Sequence, residues 1–127
     1  MLKKLIAATL LCLSLSSLPA LAAWQWFTNG LQTNPVANAI LADTGLMPGA
    51  AGWSFQISIS ATVPTIIWIE LVDGAGTTLG SFPLMVPASS TVVVPIVLNF
   101  NEPQLRVRCR LNTTITGLAH ASIRKEY

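Results

Sequence analysis

Hydrophobic and polar residues alternate most cleanly over residues 53–61, where Phe55, Ile57, Ile59 and Ala61 are interleaved with Ser54, Gln56, Ser58 and Ser60. A period of two marks a strand with one face in a core and the other near water. Residues 66–72 follow, apolar on both faces except for Glu70. Asp73-Gly74-Ala75-Gly76 then supplies the residue types that tolerate the positive φ of a hairpin turn. Residues 90–98 predict a further strand with two apolar faces. Pro95 within it cannot donate to a ladder, which places that strand at a sheet edge or at a bulge. Residues 104–111 alternate again, with Leu105, Val107, Cys109 and Leu111 inward and Gln104, Arg106, Arg108 and Arg110 outward. Asn112-Thr113-Thr114 predicts a turn, after which residues 115–124 return with Ile115, Gly117, Ala119, Ala121 and Ile123 inward. In that hairpin Arg110 pairs with Thr116, Arg108 with Leu118 and Arg106 with His120, and Arg124 shares their outer face.

The remaining segments fill in around these strands. Trp24-Gln25-Trp26-Phe27 reads as a first strand that lays its rings on the sheet, or alternatively as an exposed adhesive tip. Residues 31–34 form a linker. Asn34-Pro35 suits a helix start, whereas Val36, Asn38, Ile40 and Ala42 suit one face of a strand, and the β character of the rest selects the strand. Residues 45–52 and 83–89, rich in Gly, Pro and small residues, read as loops. Trp53 and Trp68 fall in the central strands, where core packing is the common fate. Seven or eight closely spaced strands predict an all-β fold, a two-layer antiparallel β-sandwich of jelly-roll type.

This domain follows a leader. Lys3 and Lys4, an apolar run, and Pro19-Ala20-Leu21-Ala22 have the order of a secretory signal peptide, an N-terminal signal helix over residues 1–22 that precedes a single domain over 23–127. Its apolar run is short for a membrane span, so no stable span is expected after cleavage, although retention as an anchor is the alternative. Removing Lys3 and Lys4 from the seven basic residues leaves five against five acidic ones, and the mature domain is formally neutral. Charged residues make up 9% of the chain, against about 25% in soluble domains. So little charge protects poorly against association, and an apolar edge strand adds to that hazard. With Cys12 in the leader, Cys109 is the one cysteine left, and its inward parity makes it a core thiol.

Few residues carry chemistry. His120 is the single histidine and no G-x-S-x-G elbow occurs. Cys109 and His120 do not make a zinc site, and Glu70 and Asp73 sit in a strand and a turn rather than as a paired acid and base. The expectation is a non-enzyme without metal or cofactor. The candidate contact residues for a ligand or partner are the outward set Arg106, Arg108, Arg110, Arg124 and His120, together with Trp24 and Trp26. Arginine forks suit carboxylates and phosphates; the bland alternative is a solvated face kept soluble by spaced like charges. A neutral, exported domain with no aromatics between its arginines argues against nucleic acid. Asn112-Thr113-Thr114 also matches an N-glycosylation sequon.

The run AILADTGLMPGAAGWSFQISISA, the following hairpin, VPASSTVVVPIVLNFNE, RVRCRL and ITGLAHASI together resemble small β-sandwich proteins encoded among tailed-phage virion genes. The resemblance covers roughly the last 90 residues and implies a non-enzymatic, oligomeric virion or surface component with no catalytic residues. The export leader turns that implication toward a secreted or cell-surface relative. Two functions are therefore expected. One is a secreted, self-associating structural or attachment subunit whose partner is another copy of itself. The other is a carbohydrate-binding module that meets a glycan or cell-surface ligand through its tryptophans. A weaker third is a secreted inhibitor presenting residues 45–52 or 83–89 as a binding loop.

Overall fold

The structure, a computed structural model, describes residues 24–126, with side chains from 25 to 125; the leader, with its proposed boundary at residue 22, lies outside the described residues. Ten strands run in chain order: β1 (Trp24–Phe27), β2 (Gln32–Thr33), β3 (Ile40–Asp43), β4 (Met47–Gly49), β5 (Ser54–Ala61), β6 (Thr65–Asp73), β7 (Thr78–Val86), β8 (Ser90–Val97), β9 (Glu102–Leu111) and β10 (Leu118–Glu126). They form two antiparallel sheets. One has the order β1-β10-β5-β8, with β2 also on β10; the other has the order β3-β9-β6-β7, with β4 also on β9. The β6–β7 hairpin stays within one sheet, whereas the links from β5 to β6, β7 to β8, β8 to β9 and β9 to β10 each cross between sheets, the wrapping of a jelly roll.

The alternation in β5 and β9 has the consequence expected of it. Phe55, Ile57, Ile59 and Ala61 meet Leu105, Val107, Cys109 and Leu111 in the core between the sheets, joined by Leu41, Ile67, Ile69, Ala119, Ala121 and Ile123. All of these are nearly or wholly excluded from water. Cys109 is a core thiol; burial, and to a lesser degree the Asp43 carboxylate, pushes its pKa up to about 12. Asp73 makes the predicted turn between β6 and β7, its Oδ1 accepting from the amides of Ala75 (3.0 Å) and Thr77 (2.8 Å) while Gly76 takes φ +86°. At one end of the core, Trp53 is half-buried under Lys125, whose Nζ lies 3.6 Å from the indole centroid. That burial lowers the Lys125 pKa from its ordinary value.

Several expectations are corrected. No hairpin joins β9 to β10: residues 112–117 carry the chain from one sheet to the other, and β10 pairs with β5, β1 and β2 instead. Likewise β5 and β6 belong to different sheets. Residues 83–86 continue β7 rather than forming a loop, with Pro83 opposite Trp68. A strand can hold that proline because β7 ends its sheet and pairs only with β6. Pro95 does sit on an edge strand, β8, opposite Gln56. Residues 34–39 are neither helix nor strand, and Asn34 and Asn38 adopt positive φ. A bulge between Ile40 and Ala42 then turns both Leu41 and Ala42 inward. Residues 47–49, expected in a loop, form β4 against β9.

Candidate functional site

Because β9 and β10 lie in different sheets, the expected arginine stripe is divided between opposite outer faces of the sandwich. Arg106, Arg108 and Arg110 project from β9 and Arg124 and His120 from β10, so no surface holds all five.

On the β9 face the arginines already have partners. β6 lies alongside in a register that sets Trp68 beside Arg110, Glu70 beside Arg108 and Val72 beside Arg106. Glu70 Oε1 accepts from Arg108 Nε (3.2 Å) and Arg110 Nε (2.9 Å), and Arg110 Nη1 donates to Asn38 Oδ1 at 2.7 Å. Arg106 Nε lies 3.1 Å from Asp43 Oδ1. Glu70, only 7% exposed, is thus the counter-charge for two guanidiniums. The one charge within residues 66–72 is placed against two of opposite sign. Trp68 is not in the core; it lies half-buried on this outer face, with Nε1 donating to Asn112 Oδ1 at 3.1 Å. On this face three guanidiniums share two carboxylates.

The outer face of the other sheet differs in kind. Strand register arranges it in rows across β1, β10, β5 and β8. One row is Trp26–Arg124–Gln56–Pro95, the next holds Ser122, Ser58 and Val93, and the next His120, Ser60 and Thr91. Arg124 is the only charged side chain described on it. The short β1 divides its aromatics, Phe27 packing on the core and Trp26 turning outward. The indole of Trp26 is 59% exposed, and the Arg124 guanidinium sits 5.3 Å from its centroid. That cation–π contact holds the ring without hiding it. Trp24 is placed by its backbone pairing with Glu126, and its side chain lies outside those described.

Beside this row, Thr28 donates to the Ala121 carbonyl (2.9 Å) and accepts from the Gly30 amide (3.0 Å). Its hydroxyl hydrogen is therefore committed, so His120 Nε2, 3.2 Å away, must act as the donor. The face thus combines one exposed aromatic ring, a guanidinium, an amide, an imidazole and several hydroxyls on a rigid sheet. Such a set can stack on an apolar ring face while exchanging hydrogen bonds with hydroxyls around it. Among the described residues no cluster of three or more His, Cys, Asp or Glu side chains could hold a metal ion.

Sequence reasoning named Trp26, Arg124 and His120, but it missed Gln56, Ser58 and Ser60 as a surface. Their alternation with the β5 core positions was visible; which strands would flank them was not.

No protein family and no curated protein sequence matches the chain. Among solved structures it is similar to the CBM36-1 domain of a multidomain xylanase from the hindgut metagenome of Trinervitermes trinervoides, with 11% identity, 82% of this chain and 97% of that one covered, and a TM-score of 0.50. It is also similar to a carbohydrate-binding module CBM36 in complex with calcium and xylotriose (14% identity, 82% and 94% covered, TM-score 0.47). A third likeness is to the enzymatically active domain of bacteriophage CBA120 tailspike protein 4 (13% identity, 80% of this chain and 19% of that one, TM-score 0.47). At such identities the first of these speaks to the β-sandwich fold alone.

Proposed function

We propose that this protein is an exported, non-catalytic glycan-binding module that takes its ligand on the outer face of the β1-β10-β5-β8 sheet. The observation that carries this reading is Trp26, 59% exposed with the Arg124 guanidinium over its ring, beside the uncharged hydrogen-bonding groups of Gln56, Ser58, Ser60, Ser122 and His120. Sugar rings offer an apolar C–H face and a rim of hydroxyls, and this surface offers a partner to each. The arginines of β9 have no part in it, because each is already engaged by Glu70 or Asp43. The sandwich architecture shared with a xylanase's CBM36-1 domain is compatible with such a role. Screening the domain on a glycan array tests the reading: binding that is lost in Trp26→Ala and kept in Trp68→Ala supports it, and silence across the array removes it.

A second reading, self-association into a structural or attachment subunit, is favoured by the aliphatic side chains left bare. Met85 is 76% exposed, Val97 64% and Val93 49%, all on the outer sides of edge strands. Met85 and Ile66 also line an open groove of about 490 Å³. Sedimentation of the mature domain separates the two: a concentration-dependent rise in mass supports assembly, and a monomer at tens of micromolar opposes it.

A further inference from the structure

The platform does not end at the His120 row. Beyond it lies a notch of about 310 Å³ whose walls include Ser60 and Thr91 of that row, Ser90, and two exposed leucines, Leu31 and Leu118. Leu31 is 64% exposed and Leu118 36%, so each presents bare apolar surface although polar groups surround it. The notch therefore repeats, with different residues, the combination found around Trp26, which is an apolar wall ringed by hydroxyls.

The two places are joined along the strand direction. From Arg124 to His120 is four residues of β10, about 14 Å of extended chain, and the Ser122–Ser58 row lies between them. A single sugar ring cannot reach from one to the other, whereas a short chain of rings can. We infer that the notch is a second, end subsite for an extended glycan whose other part stacks on Trp26, the chain running along β10 over Ser122 and Ser58. This rests on the platform reading and gives it a ligand class, a linear oligosaccharide rather than a terminal monosaccharide. Recognition is through hydroxyls and apolar ring faces, so a chain with no charged groups suffices.

The test is a titration series with gluco- and xylo-oligosaccharides from the disaccharide to the hexasaccharide, run on the wild type, Thr91→Trp and Leu31→Ala. Thr91 is exposed on an edge strand and Leu31 is exposed in a loop, so neither change disturbs the core. The wild type is expected to bind the hexasaccharide at least about tenfold more tightly than the disaccharide, the worth of a few extra hydrogen bonds and contacts. Thr91→Trp, which fills the notch, should remove that advantage, and Leu31→Ala, outside the rows, should remove part of it while leaving the disaccharide affinity unchanged. Two outcomes overturn the notch while the platform stands: Trp26-dependent binding with no dependence on chain length, or Thr91→Trp weakening short and long chains equally. If no member of the series binds, the platform reading falls and the notch falls with it.

Discussion

Arg108 and Arg124 stand on the two outer faces of one sandwich, in strands of nearly equal length, and the faces use them in opposite ways. On the β9 face each guanidinium meets a carboxylate on a neighbouring strand, opposite in register for Arg108 and diagonal for Arg106 and Arg110, and Trp68 is half-buried and hydrogen-bonded through its ring nitrogen. On the β10 face the guanidinium lies against an indole that stays open to solvent. The first arrangement stabilises the fold and leaves little for a ligand to engage. The second leaves an aromatic surface and hydrogen-bonding groups on a rigid support. An arginine in a strand is thus no guide to binding until its cross-strand neighbour is known.

Breaking the first face should have the largest effect. Glu70→Ala leaves Arg108 and Arg110 beside each other without their shared carboxylate. Removing one partner of a buried pair costs about 3–5 kcal/mol; both arginine side chains keep about a quarter of their exposure. The expected loss in urea unfolding is therefore nearer 2–3 kcal/mol, with glycan affinity unchanged.

Exchanging the roles of the two tryptophans sharpens the contrast. Trp26→Ala should lower glycan affinity more than about tenfold and move unfolding by less than about 1 kcal/mol. Trp68→Ala should do the reverse, leaving affinity alone and costing about 1–2 kcal/mol through the lost Asn112 hydrogen bond and packing. If both substitutions weaken binding alike, the division of labour between the faces is wrong.

The smallest effect concerns neither face but the core between them. The Cys109 thiol is held near pKa 12 in the folded chain against 9.0 for an ordinary thiol. The native state therefore keeps a proton that the unfolded chain loses. Its contribution is fully present below about pH 9 and declines as pH rises toward 12, a loss of about 1 kcal/mol by pH 10. Lys125 has its pKa lowered by burial, and so opposes this trend, since folding relieves its proton sooner as pH rises. Urea unfolding at neutral and alkaline pH, compared with Cys109→Ala, should show a steeper alkaline loss for the wild type.

Much of the fold could be read from the chain because a strand with one face in the core must alternate. Phe55, Ile57, Ile59 and Ala61, and Leu105 through Leu111, reveal both their strand character and their inward side. What alternation does not say is which sheet a strand joins. Both sheets line the same core, so the inward set of β10 fits a hairpin with β9 as well as it fits pairing with β5. Residues 112–114 were legible as a turn, but a turn within a sheet and a crossing between sheets use the same polar, flexible residues. The error in placing Arg124 and His120 beside the β9 arginines follows directly. Trp68 was expected in the core for a related reason: residues 66–72 are apolar on both faces except for Glu70, and only the third dimension shows that the side carrying Trp68 and Glu70 is the outer one, beside the β9 arginines. Trp26 was legible as a candidate; its contact with Arg124, far away in sequence, was not.

Pro83 and Pro95 each occupy the middle of the last strand of a sheet, and β7 and β8 lie next to each other on one flank of the sandwich. A newcomer strand trying to continue either ladder there would find a missing donor and a ring in its path. The flank richest in aliphatic side chains is thereby closed to fibre growth, even in a chain with very few charges to hold copies apart. Crowding many such domains together on a surface should favour contacts through side chains and not a spreading web of backbone bonds.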